Sequence, residues 1–134
     1  MWFDSSILST LLLSRFQDIP FAYLFGLSKG GTIKAGSDVD VAFYYTGNES
    51  LIKFEIDEEF EKAIPGVIFD LVELQKADPI LAFEVLHGTK LFVRPEAIEL
   101  FLHFYSLTCR RYEDRIYWMN KQLSYRGYEV QWND

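Results

Sequence analysis

Apolar residues recur at helical spacing from the start of the chain. Ile7, Leu8, Leu11, Leu12 and Phe16 predict a helix over about residues 5–17, with Asp4 or Ser5 as N-cap and Pro20 beyond its end. The short aromatic run "FAYLFGL" (21–27) predicts a buried strand, and "DVDVAFYY" (38–45) a second one, closed by the turn residues "TGNES". Between them, "SKGGTIKAGS" (28–37) reads as a loop, or a short helix followed by a loop. The stretch 51–64 fits two periods. Ile52, Phe54 and Ile56 alternate like a strand, whereas Ile52, Ile56, Phe60 and Ala63 follow a helix; length and the acidic run "DEEFEK" favour the helix. "VIFDLVEL" (67–74) predicts a third strand. "DPILAFEVLHG" (78–88) predicts a helix capped by Asp78, with Pro79 at its first position and Gly88 past its end. A brief fourth strand, 90–93, precedes a long helix from Pro95 to about Leu123, and the final "QWND" reads as frayed. Along that helix Ile98, Phe101, Tyr105, Tyr112, Ile116, Met119 and Leu123 share one broad apolar face, for which core packing is the simpler explanation. Strands alternating with helices give a small α+β or α/β sheet with helices packed on it.

Composition narrows the class without naming a function. The chain has 134 residues and is 49% hydrophobic and 17% aromatic, enough for a proper core and too apolar for disorder. No repeat, linker or low-complexity segment divides it, so one domain over residues 1–134 is expected, with a core at about 20–93 and a C-terminal helix at about 95–124. The apolar cluster "ILSTLLLSRF" is interrupted by serines and far short of the roughly 20 residues of a membrane span. Asp4 stands where a secretory signal would carry basic residues. A lone cysteine, Cys109, offers no internal disulfide and suits the cytoplasm. The net charge of −7 disfavours non-specific nucleic-acid binding and leaves room for a basic partner or a metal-assisted ligand. His87, His103 and Cys109 have no companions in the sequence that suggest a zinc site or a nucleophile, and read as surface or packing residues.

The chemistry concentrates in "GSDVDV". Side chains on a strand alternate, so Asp38 and Asp40 leave the same face, and each makes the other harder to ionise unless a cation sits between them. A hard divalent ion with oxygen ligands fits, Mg²⁺ above all, since it accepts one or two carboxylates together with substrate phosphates. Asp70, isolated among apolar neighbours in the third strand, approaches the pair if the two strands are adjacent. Upstream, Gly26, Gly30, Gly31 and Gly36 let the backbone come close to a ligand, its N–H groups can cradle phosphate oxygens, and Lys29, Lys34, Ser28 and Ser37 add cations and hydroxyls. Each feature alone is commonly turn chemistry or a solvated charge. Their order along the chain describes phosphoryl or nucleotidyl transfer, where positioning and charge neutralisation carry the rate.

With those residues in view, the sequence resembles the minimal nucleotidyltransferases (MNT) of the DNA polymerase β-like superfamily, whose signature is Gly-Ser, ten residues, then Asp-x-Asp. Gly26 takes the glycine position, residues 28–37 are the ten, and Asp38 and Asp40 are the acid pair. "FDLVELQKADPILAFEVLHGTKLFV" is similar to the family's third strand, helix and short strand, and places the third acid at Asp70. One departure stands out: the signature serine falls on Leu27, with Ser28 one residue later. The resemblance implies a polymerase β palm-like fold, ATP as co-substrate and Mg²⁺ as cofactor, held by Asp38, Asp40 and Asp70. It also implies Gly26, Ser28, Lys34 and Ser37 on the nucleotide side, and Asp70 activating the acceptor hydroxyl or completing the metal site. Proteins of this size in the family are often antitoxins that transfer AMP to a tyrosine of a HEPN-domain ribonuclease toxin. That makes a hetero-oligomer with such a toxin the expected partnership. Two other readings remain open: an antitoxin that neutralises its partner by binding alone, and a transferase for a small hydroxylated molecule of the aminoglycoside type.

Overall fold

The computed structural model describes residues 2–26, 32–34 and 38–127. In chain order these form β1 (Trp2–Asp4), α1 (Ser6–Arg15), β2 (Phe21–Phe25), β3 (Thr32–Lys34), β4 (Asp38–Tyr44), α2 (Ile52–Ala63), β5 (Ile68–Glu73), α3 (Pro79–Leu86), β6 (Thr89–Val93) and α4 (Ile98–Tyr125). Local chemistry sets several of the boundaries. The Asp4 carboxylate accepts from the Ser6 N–H at 2.9 Å, and Asp78 accepts from the Ile80 N–H at 2.9 Å with Pro79 opening the helix. The α1 C-terminus has a partner that the sequence did not announce. Arg94, at the end of β6, donates to the carbonyls of Leu12, Leu13 and Phe16 at 3.3, 3.2 and 3.0 Å, and through Nε to Ile19 at 2.9 Å. A guanidinium there satisfies orphan carbonyls and opposes the negative end of the helix dipole.

Two short strands were not expected. β1 and β3 pair antiparallel, Trp2 with Lys34 and Asp4 with Thr32, as a separate two-stranded ribbon. The reading of 28–37 as a loop or helix is therefore corrected for residues 32–34. Three-residue strands carry no periodic signal, and this one is fixed by a partner some thirty residues away. Of the expected strand 21–27 the part up to Phe25 is strand, and the ambiguous 51–64 segment is helical.

The main sheet has the order β5-β4-β2-β6; β2 is antiparallel to both neighbours, and β4 and β5 are parallel with α2 as the crossover. Alternation along the strands sorts residues onto two cores. Leu24, Val39, Val41 and Phe43 face α1 and α2, meeting Leu8, Leu12, Ile56 and Phe60. Phe21, Tyr23, Phe25 and Ala42 face α3 and the first turns of α4, meeting Val85 and Leu86, with Phe101 and Phe104 against them. Phe21, Phe43 and Phe60 are fully buried, each contributing about 1.5–3 kcal/mol of burial free energy. The burial of Tyr23 pushes its hydroxyl up to about 12, with Tyr105 adding to the shift. Of the apolar face expected along α4, Phe101 meets the core with Phe104 beside it, and Tyr112 stacks on Phe83 of α3. Further on, Tyr117, Trp118, Met119 and Leu123 are exposed. Among the described residues no helix is long and apolar enough to cross a membrane.

Gly88 fixes how closely α3 meets the sheet. A Cβ there would collide with the Leu24 carbonyl oxygen and come within 3.2 Å of the Phe25 Cα. Gly88→Ala is expected to cost about 1–3 kcal/mol, read as a lower urea midpoint with an unchanged slope.

Candidate active site

β4 sends Val39, Val41 and Phe43 into the α1/α2 core, so Asp38 and Asp40 leave on the opposite face, at the start of the strand. β5 repeats the pattern: Phe69 and Leu71 pack toward α2, and Asp70 leaves on the face of Asp40. Parallel register sets Asp40 level with Asp70 and Asp38 level with Ile68. Asp38 and Asp70 are exposed and Asp40 is half-buried between them.

The electrostatics follow from that placement. Asp40 is held above the ordinary carboxylate range, first by loss of hydration, then by the charges of Asp70 and Asp38 and a hydrogen bond with Asp70. Two carboxylates can share a hydrogen bond only if one keeps a proton, so the contact with Asp70 favours the neutral form of Asp40. A cation would oppose that preference. Among the described residues no group of three or more His, Cys, Asp or Glu side chains is placed to hold a metal ion. Asp38, Asp40 and Asp70 leave oxygen donors on one face of the sheet, with Asp40 level with Asp70.

On the other side of Asp40 lies the end of β2. Phe25 pairs with Asp40, and Gly26 follows with φ +66°, the left-handed region. A Cβ on Gly26 would collide with Asp40 Oδ2. The glycine is therefore required twice, by its backbone angle and by the carboxylate lying against it. Asp38, Asp40, Asp70 and Gly26 thus meet at one end of the sheet. Lys34 lies on β3, in the ribbon, rather than in a loop. Ser28 and Ser37 lie outside the described residues, as does Leu27 at the signature serine position.

The family profile described as "Polymerase beta, Nucleotidyltransferase" matches residues 10–97, a span that includes all three acids and Gly26. The chain belongs to the polymerase β nucleotidyltransferase family. No curated protein matches it. Solved structures give the same fold at low identity. A chain from a mutant toxin–antitoxin complex, MntA-HpeT, aligns with a TM-score of 0.73 at 20% identity, covering 94% of this chain and 100% of that one. A toxin–antitoxin structure with AMP-PNP aligns at 0.69 and 22%, over 92% of this chain and 98% of that one. A Shewanella oneidensis complex of a tri-AMPylated HEPN toxin with its MNT antitoxin aligns at 0.65 and 17%, over 92% and 99%. The expected nucleotidyltransferase fold, with its mixed sheet and long C-terminal helix, is thereby confirmed.

This family member also has a feature on the far side of β2 that the sequence reading passed over. Leu24 pairs with Thr89, and Gly88 lies against the Leu24 carbonyl and Phe25 on the β6 side of the strand. The visible signal was Gly88, read only as a helix terminator.

Proposed function

We propose that this nucleotidyltransferase is an Mg²⁺-dependent antitoxin that transfers AMP from ATP to a tyrosine of a cognate HEPN ribonuclease toxin. The observation that carries the reading is the register of Asp40 with Asp70 beside the left-handed turn at Gly26. Asp38, Asp40 and Asp70 supply oxygen donors for Mg²⁺, which when bound would offset the negative charge that builds on the phosphates. Gly26 leaves room for the triphosphate next to Asp40, and Ser28, Lys34 and Ser37 are assigned to the nucleotide by their place in the signature. Asp70, exposed and in register with Asp40, accepts the proton of the incoming tyrosine hydroxyl. The tyrosine oxygen bonds to the α-phosphorus, the bond to the bridging oxygen of the β-phosphate breaks, and pyrophosphate leaves.

A protein acceptor is supported by the AMPylated toxin in the Shewanella oneidensis complex, and by the exposed aromatic end of α4, which packs on little of its own chain. Incubation of the protein with ATP labelled at the α-phosphate, Mg²⁺ and the product of the neighbouring gene tests the reading. Label on a toxin tyrosine, one AMP of added mass per transfer and loss of ribonuclease activity are expected. A toxin silenced without label would assign the binding-only antitoxin instead, and label on a small hydroxylated acceptor the third reading.

A further inference from the structure

We infer that the outer edge of β5 is where the protein acceptor docks, its tyrosine-bearing segment adding there as an extended strand; the assignment rests on the AMP-transfer reading above. The sheet order leaves β5 and β6 at its two ends, each paired on one side among the described residues. A bare edge is a template for foreign strands, and natural sheets blunt it with lysine, proline or a bulge. β6 carries all three: Lys90 within the strand, a register shift against Ala22 and Tyr23, and Pro95 just beyond its end. β5 carries none of them. Residues 68–73 include neither lysine nor proline, and their register with β4 runs unbroken from Ile68 to Glu73. Of the two charges on β5, Glu73 is buried and held by Gln75 and Lys76, and Asp70 belongs to the site.

The edge is open as well as unguarded. Phe69 and Leu71 stay partly exposed, whereas Val39 and Val41, level with them on β4 and facing the same core, are fully buried. Ile68 is 69% exposed and shares a face with Asp70, two residues on. An edge strand turns a row of N–H and C=O groups outward, so an extended segment gains main-chain hydrogen bonds there whatever its sequence. Alternate side chains of that segment then fall on the carboxylate face. A tyrosine among them stands beside Asp70, because aromatic side chains reach both direct and diagonal neighbours across a strand pair. An apolar residue two positions from the tyrosine covers Ile68. Docking on β5 thus delivers the hydroxyl to the strand whose acid takes its proton, and it favours an extended polypeptide over a small hydroxylated molecule.

Amide hydrogen exchange read residue by residue tests this on the full chain with Mg²⁺, the product of the neighbouring gene and α,β-methylene-ATP, whose α–β bridge resists cleavage. Alternate amides of β5 are expected to exchange at least about tenfold more slowly once the acceptor is added, while those of β6 keep their rates. Ile68→Ser, at a position exposed in the free protein, is expected to raise the KM for the acceptor about tenfold, with kcat and the KM for ATP unchanged. Ile68→Val is expected to keep most of the wild-type KM. Amides of β5 that exchange equally fast with and without an acceptor that the wild type labels would overturn the docking and leave the transfer reading standing. So would an Ile68→Ser variant with the wild-type KM for that acceptor. Wild-type protein that places no AMP on any tyrosine of the acceptor would overturn both.

Discussion

Asp40→Asn is expected to abolish measurable transfer while making the metal-free protein melt higher, not lower. The two effects have one cause. Asp40 is half-buried beside two like charges, and its carboxyl is held above the ordinary range by lost hydration and by Asp70 and Asp38. The folded state therefore prefers the neutral form. A group with a raised folded pKa contributes its stability below the unfolded value, about 4, and loses it as pH rises through the folded value. At neutral pH the ionised Asp40 opposes folding, and asparagine, permanently neutral, removes that opposition. A rise in Tm of roughly 1–3 °C is expected at pH 7, shrinking toward zero below about pH 4. Transfer, by contrast, needs the negative oxygen to gather a cation and substrate phosphates. Its loss is expected to be at least about 10²-fold in kcat/KM, or about 2.7 kcal/mol of barrier. Added Mg²⁺ should raise the Tm of the wild type and not that of the variant, since an ion that binds only the folded state stabilises it by mass action. A variant that melts lower than wild type in the absence of metal would contradict the electrostatic account. One that retains transfer would remove Asp40 from the site.

The helices and the main sheet were legible because each carries a repeated signal: α1, α2, α3 and α4 by spacing and caps, β2, β4 and β5 by apolar runs bounded by turn residues. The acid pair was legible for the same reason, since a period of two puts Asp38 and Asp40 on one face wherever the strand lies. The level of Asp70 with Asp40 was not. Register between parallel strands depends on the crossover through α2 and on how Phe69 and Leu71 seat against it. Arg94 under the end of α1 was invisible on similar grounds, because it acts across many residues of sequence. The apolar face of α4 was read correctly as a pattern and only half correctly as core. Spacing shows that a face exists, and only the neighbours show what covers it.

Gly26→Ala is expected to lose transfer as completely as Asp40→Asn while shifting stability the other way. The left-handed angle of +66° costs a residue with a side chain about 1–2 kcal/mol, and the new methyl collides with Asp40 Oδ2. The carboxylate has to swing away, and a displacement on the order of 1 Å at a reacting centre costs roughly 10²-fold. Transfer and Tm should therefore fall together here, whereas they separate in Asp40→Asn. The double variant Gly26→Ala with Asp40→Ala decides whether contact is the cause. Removing the carboxylate empties the space that the methyl needs, so the stability loss of Gly26→Ala should shrink to the backbone part alone, a departure from additivity of about 0.5–1 kcal/mol. Strict additivity would mean that backbone angle alone selects the glycine. In that case Asp40 would be positioned by the sheet rather than by the turn beside it.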